Sequence, residues 1–147
     1  MSNNEKMYDN RLGIIGWLGG GRWGIERYLY IIHRLAGVGV LIFFVLHIFE
    51  GNLRIFGPEI WNPVMRLMEH PVFKVGELLI IIGFAFHAIN GIRLILIELG
   101  WAVGKAEEPV YPYKSSLNTQ RPLMVIMLLL TILLILAGGF DLMFLGH

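Results

Sequence analysis

Three long apolar stretches dominate the chain, and each is long enough to cross a membrane as a helix. They cover about residues 28–49, 72–98 and 122–144, and a bilayer core about 30 Å thick needs roughly 20 apolar residues in a helix. Apolar residues make up 56% of the chain and charged residues 16%, whereas soluble domains contain about 45–50% and about 25%. The sequence therefore predicts an all-α integral membrane protein in which residues 1–147 form a single domain with three transmembrane helices.

The loop between the first two stretches contains a short amphipathic segment at about residues 59–69. Apolar residues recur there at helical spacing, and Trp61 is of a residue type that favours the headgroup zone of a membrane. We therefore expect a short helix that lies at the membrane surface.

The Lys and Arg residues near the ends of the three stretches are distributed unequally. Nine fall on the side of the N-terminus and of the loop between the second and third stretches, against three on the opposite side: Arg54, Arg66 and Lys74. Because Lys and Arg collect on the cytoplasmic side, the N-terminus is predicted to be cytoplasmic, in a cell (inner or cytoplasmic) membrane. The polar N-terminal segment also lacks the pattern of a cleavable signal peptide.

Charge and cysteine content exclude several classes of function. A net charge of +1 gives no reason to expect a nucleic-acid partner. The chain has no cysteine, so it can form no disulfide and can hold no cysteine-ligated iron–sulfur cluster. A redox metal would therefore be held by His, Met or carboxylate, and we expect no catalytic residue for substrate oxidation on this chain.

One histidine, His87, lies in the middle of the second apolar stretch. An ionisable residue inside a membrane span is costly and is read as functional by default, and neutral imidazole is the commonest metal ligand. Gly83 and Gly91 lie one turn away on the same helix face, which would let a porphyrin approach the backbone. Arg93 lies about 9 Å nearer the cytoplasm, where it would pair with a haem propionate. The alternatives are small-residue helix packing and snorkelling of Arg93 to the interface.

The first apolar stretch carries two more histidines, His33 near its inner end and His47 near its outer end. They share one stripe and lie about 21 Å apart in a helix. His33 and Arg34 form a polar pair at the cytoplasmic edge, which would either lie among lipid headgroups or bind haem propionates or the head of a quinone. His47 would be either an interfacial histidine or a haem ligand.

The depths of His47 and His87 exclude their ligating the same haem. Counted from the cytoplasmic edge at 1.5 Å per residue, His87 is about 16 Å deep and His47 about 28 Å deep. The two axial ligands of one iron must lie at nearly the same level. Each histidine would therefore need an opposite ligand from another chain, and we expect a second membrane subunit.

Two spaced motifs occur in order along residues 25–100. The first is HR followed by two residues and glycine, and the second is a histidine, three residues, GIR, and an acidic residue ahead of glycine. The matching residues are His33, Arg34 and Gly37, then His87, Gly91, Ile92, Arg93, Glu98 and Gly100. In these motifs the chain resembles the cytochrome b membrane-anchor subunit of succinate dehydrogenase, respiratory complex II.

The resemblance implies a small anchor that pairs with a second membrane-anchor subunit, holds haem b, and docks an iron–sulfur subunit and a flavoprotein subunit. Electrons from succinate would then pass through the iron–sulfur subunit to a quinone in the membrane. It also implies that His87 is an axial haem ligand, with the opposite ligand from the sister subunit. By the same resemblance, His33 and Arg34 contact quinone or haem propionates.

The chain departs from the family pattern at three positions. Many relatives have a serine three residues before the first motif histidine as a quinone contact, and here Tyr30 offers its hydroxyl instead. Many also have a second histidine after GIR, where this chain has Leu94. His47 matches the first-span histidine of two-haem members. We therefore expect one haem b at His87, and a second at His47 if the chain follows the two-haem pattern.

Two other functions stay open from the sequence. The chain could be the haem b subunit of a different quinone oxidoreductase, although both motifs argue against it. It could also be a haem-free membrane anchor or a small transporter whose His and Arg residues line a polar path. A transporter usually shows broken helices or inverted repeats, and this sequence has no such pattern.

Overall fold

The computed structural model describes Gly13 and residues 24–105, 108, 110–112 and 115–145. Within this part of the chain all regular secondary structure is helical, which confirms the predicted fold class. The basic residues expected near the N-terminus, up to residue 22, lie outside the described residues, as does Lys114.

Among the residues that the structure describes, three helices are long and apolar enough to cross a membrane. Helix α1 spans Ile25–Asn52 and continues into a 3-10 turn, Leu53–Phe56. Helix α3 spans Pro71–Glu98, and helix α4 spans Leu117–Phe140 and ends in a π-helical turn, Asp141–Leu145. Between α1 and α3 lies the short helix α2, Pro58–Met68.

The helices extend beyond the apolar stretches that predict them. α1 begins three residues before the predicted span, with Glu26 in its first turn, and α4 begins at Leu117, ahead of Pro122. The apolar stretch marks the part of a helix that suits hydrocarbon, whereas helical hydrogen bonding continues into the polar residues beside it. α2 and α3 each begin with a proline, which loses no helical hydrogen bond at that position.

The chain divides into two compact units, residues 1–32 and 33–147, with the boundary inside α1. In the first unit the structure describes Gly13 and residues 24–32, of which Leu29 and Ile31 are buried. The second unit holds the rest of α1 and the other helices.

Helices α3 and α4 pack closely through glycines of α4. A Cβ atom on Gly138 would lie 2.9 Å from Cγ2 of Ile81, and one on Gly139 would lie 3.6 Å from Cδ1 of Leu78. Small residues at a helix interface let the backbones approach, which is the usual way transmembrane helices associate. These contacts hold α3, the helix that carries His87, against the rest of the second unit.

Most large apolar side chains on the three long helices are exposed. Only a few described residues are buried, and three of them are polar: Asn90, Arg93 and Thr131. A surface this apolar suits hydrocarbon or other membrane subunits. The buried polar residues are the exceptions that require an explanation.

Candidate functional site

The rings of His33 on α1 and His87 on α3 stack against each other. Their centroids lie 4.1 Å apart and their planes differ by 9°. Counted along each helix, His33 lies about 12 Å from Ile25 and His87 about 16 Å from Glu98. His33 therefore contacts His87, the histidine in the middle of α3. The sequence predicts His33 at the cytoplasmic edge and does not predict this contact.

The hydrogen bond of His87 determines which ring nitrogen carries the proton. Its Nδ1 lies 3.0 Å from the backbone carbonyl oxygen of His33, and a carbonyl can only accept. Nδ1 must therefore donate, which leaves a lone pair on Nε2. Nε2 has no hydrogen-bond partner in the described part of the chain and is not fully enclosed.

Each of the two histidines lies over a glycine of the opposite helix. A Cβ atom on Gly37 of α1 would lie 2.7 Å from Cε1 of His87, and one on Gly91 of α3 would lie 3.6 Å from Cε1 of His33. The space beside Gly91 that we expected a porphyrin to use is thus bordered by His33. Gly83, in contrast, has no atom within 4 Å of the position its Cβ would take, so that part of α3 is open.

Asn90 and Arg93 form a buried polar pair on α3. Nε of Arg93 donates to Oδ1 of Asn90 across 2.9 Å, and the two residues are 5% and 7% exposed. Arg93 and His87 also lie close enough to His33 to act on it electrostatically. Two atoms of this cluster are buried without a hydrogen-bond partner among the described residues, Nδ2 of Asn90 and Nδ1 of His33.

Asn90 is a residue that the sequence analysis missed. Its signal was available, because an amide inside an apolar stretch, three residues before an arginine, lies on the same helix face as that arginine. Its unpaired Nδ2 is a donor that would suit an acceptor oxygen of a bound group.

The other two residues predicted for the inner part of α1 are exposed. Arg34 follows His33 on α1 and is exposed. Tyr30 is also exposed, at 49%, and it belongs to the first unit. Both are on the helix that carries His33.

His47, near the other end of α1, has a different environment. Its ring stacks on that of Phe43 at 5.5 Å, and its Nδ1 lies 3.5 Å from Oε2 of Glu50. Its side chain is 62% exposed. A carboxylate beside one ring nitrogen is a common way to orient a metal-binding histidine.

A cavity of about 610 Å³ lies beside His47, between α1, α2 and the first turns of α3. Its volume is in the range of small-molecule sites, about 300–1,000 Å³. Its lining is apolar except for His47 and two carboxylates, and includes Phe43, Glu50, Met65, Met68, Phe73 and Glu77.

Within the described residues, no group of three His, Asp or Glu side chains could hold a bare metal ion. A haem needs less from the protein, because the porphyrin nitrogens occupy four positions of the iron and the protein supplies axial ligands. His87 could be one such ligand.

Comparison with known proteins gives a consistent assignment. The family model for the succinate dehydrogenase/fumarate reductase transmembrane subunit matches residues 16–138. The succinate dehydrogenase 2 membrane subunit SdhC of Mycobacterium tuberculosis is 29% identical over 75 residues, which cover 51% of this chain and 54% of that protein. The matched region therefore spans about half the length of this curated relative, and no solved structure matches the chain significantly. The chain, a multi-pass membrane protein, belongs to the family of succinate dehydrogenase/fumarate reductase transmembrane subunits.

Proposed function

We propose that the chain is the haem b-binding membrane-anchor subunit of a succinate:quinone oxidoreductase. The observation that carries the proposal is the hydrogen bond from His87 Nδ1 to the His33 carbonyl. It fixes the tautomer that leaves Nε2 available as a ligand, the arrangement typical of metal-binding histidines. His87 also lies midway along a membrane-length helix, where an ionisable group needs a function.

The residues around His87 fit a haem. The lone pair of Nε2 is available, Gly83 leaves open space on the same helix, and Asn90 carries an unpaired buried donor next to Arg93. When bound, haem b would supply one-electron redox chemistry at its iron. Arg93 would pair with a propionate, while Asn90 holds the guanidinium in place through Oδ1 and offers Nδ2 to an acceptor oxygen.

A second membrane-anchor subunit would supply the other protein ligand of the haem iron. In the described part of the chain His33 is stacked on His87 itself, and His47 lies about 21 Å farther along α1 than His33. Neither histidine is therefore placed to be the second protein ligand of an iron bound to His87. The cytoplasmic iron–sulfur and flavoprotein subunits would dock where the N-terminus lies, on the side that carries more Lys and Arg in the sequence.

The quinone would bind near the inner part of α1. Quinone carbonyls need hydrogen-bond donors, and His33 and Arg34 supply an imidazole and a guanidinium at adjacent positions of α1. Tyr30, earlier in the same helix, carries a phenol hydroxyl, which is also a donor. The residues of this group belong to the part of α1 closest to the proposed docking side, where electrons from an iron–sulfur subunit would arrive.

A second haem at His47 is the further element of the proposal. The carboxylate of Glu50 next to Nδ1 and the adjacent cavity support it. Against it stands the lining itself, since Glu50 and Glu77 would repel anionic propionates. The two-haem arrangement therefore has weaker support than the haem at His87.

One experiment tests the proposal. The detergent-solubilised complex is purified as wild type, His87→Ala and His47→Ala, and reduced-minus-oxidised spectra are recorded. We expect His87→Ala to lose a b-type haem signal. If His47→Ala also loses haem signal relative to wild type, the complex holds a second haem at His47. If His47→Ala keeps the full signal, the complex holds one haem. Signals unchanged in both variants would remove the haem proposals and leave a haem-free anchor or transporter.

A further inference from the structure

The geometry points to Gly37 and the backbone carbonyl of His33 as the elements of α1 that set the orientation and tautomer of His87. The inference rests on the proposed function only in naming haem iron as the partner of Nε2. Gly37 is a positioning residue in this account, because it acts on the iron through His87 alone.

The ring of His87 approaches the backbone of α1 closely. A helical carbonyl already accepts a bond from the N–H four residues ahead, and its second lone pair can accept from a side chain. The ring of His87 reaches the carbonyl of His33 at 3.0 Å. Residue 37 is the position one turn farther on, so its side chain would cover this approach.

Only glycine leaves room for this approach at position 37. A Cβ atom on Gly37 would lie 2.7 Å from Cε1 and 3.0 Å from Nδ1 of His87. Both distances are shorter than ordinary van der Waals contact. Alanine at position 37 would push the ring away from α1, and the two atoms nearest to the added methyl are Cε1 and Nδ1, the nitrogen that donates the hydrogen bond.

The neighbours of the His87 ring on α1 also restrict the plane of the ring. His33 stacks parallel to His87, with centroids 4.1 Å apart, so the ring of His87 is bounded by the His33 ring, the His33 carbonyl and the backbone of Gly37. The partner of Nδ1 fixes the tautomer of a ligating histidine and tunes the basicity of its other nitrogen, and loss of such a partner costs roughly 10–100-fold in metal affinity or activity.

Gly39 provides the matched control. It lies on the same helix and has no atom within 4 Å of its Cβ position, so Gly39→Ala tests the effect of alanine in α1 alone. Of these two substitutions in α1, only Gly37→Ala should therefore disturb the pair of histidines.

The test uses the purified complex with Gly37→Ala and Gly39→Ala. We expect Gly37→Ala to retain haem about tenfold more weakly, or to keep it with a shifted midpoint potential and an altered low-spin electron paramagnetic resonance signal. The control variant Gly39→Ala should match wild type. If His87→Ala abolishes the haem signal and Gly37→Ala equals wild type in haem retention, potential and resonance signal, the inference fails while the proposed function stands.

A double-mutant cycle tests the same contact without any haem readout. Thermal stability of the complex is compared for Gly37→Ala in the wild-type and the His87→Ala backgrounds. If the added methyl collides with the imidazole, its destabilising effect should disappear once the ring is gone. An equal effect in both backgrounds would overturn the inference. This readout also covers the case in which Gly37→Ala assembles too poorly for spectra.

Discussion

His87 and His47 occupy similar sequence contexts, each inside an apolar stretch, yet the fold gives them different environments. His87 is half-buried, stacked on His33 and hydrogen-bonded to backbone. His47 is largely exposed, and its polar neighbour Glu50 comes from its own helix, one turn away. A hydrogen-bond partner on another helix is in place only when the two helices are packed together. A partner one turn along the same helix is in place whenever that helix forms. We therefore regard the surroundings of His87 as a built site and those of His47 as a local arrangement beside a cavity.

The comparison predicts a large difference in function between the two ends of α1. Arg34→Ala should lower quinone reduction by about tenfold or more, because a hydrogen bond to a charged group contributes about 1.5–3 kcal/mol. Succinate oxidation with a soluble dye should continue, since we propose that this step takes place on the flavoprotein subunit. Steady-state assays with quinone and with dye measure the two activities separately.

Arg54→Ala is the matched control, because Arg54 is an exposed arginine in the turn after the other end of α1. It should leave both activities unchanged. If Arg54→Ala lowered quinone reduction and Arg34→Ala did not, the quinone site would belong to the end of α1 near His47 and its cavity.

The sequence predicted the three long helices and the family because both signals are local. The length of an apolar stretch indicates a membrane span whatever the helix packs against, and each of the two motifs lies within one short stretch of sequence. The stacking of His33 on His87 was not predictable in the same way. When depth is counted from the ends of the apolar stretches, His33 falls at the cytoplasmic edge, but α1 begins earlier, at Ile25. In addition, a contact between two helices depends on how they pack, which a pattern along one helix does not give.

Gly37 and Asn90 illustrate the same limit within the site. Gly37 was visible as part of a motif, but its role depends on a distance to a residue fifty positions later in the chain. Asn90 could have been found by its spacing from Arg93, although its burial could not. Patterns along one helix indicate which side chains share a face, and the neighbouring helix decides which face is buried.

A second prediction concerns the stability of the built site. Asn90→Leu should destabilise the complex by about 1–2 kcal/mol, because the charged Nε of Arg93 loses this acceptor in a buried position. This exceeds the average of about 0.6 kcal/mol for interhelical hydrogen bonds in a membrane protein. Thermal or denaturant unfolding of the complex in detergent measures the change.

Thr131→Val provides the comparison for Asn90→Leu. Thr131 is equally buried, and its hydroxyl donates to the carbonyl of Met127 in its own helix across 2.9 Å. Valine preserves the shape and the carbonyl keeps its helical bond, so the loss should stay below about 1 kcal/mol. If Thr131→Val lowered the free energy of unfolding more than Asn90→Leu does, the hydrogen bond between Asn90 and Arg93 would not be the stronger contribution to stability.

The smallest effect is expected at the His47 end. Glu50→Gln keeps the shape of the side chain and removes its charge. The contact of Glu50, whose side chain is 27% exposed, with His47 is an ion pair only while the imidazole is protonated, and ion pairs near a protein surface contribute about 0–1 kcal/mol. With the His47 side chain 62% exposed, we expect a change in unfolding free energy below about 0.5 kcal/mol that becomes smaller in high salt, since salt screens exposed charges. The measurement should be made on the assembled complex, because the environment of His47 there includes any neighbouring subunit. A loss above about 1 kcal/mol that salt does not reduce would mean that another subunit or a cofactor covers His47. The two histidines would then both belong to built sites, and the second haem would gain support beyond that of Glu50 and the adjacent cavity.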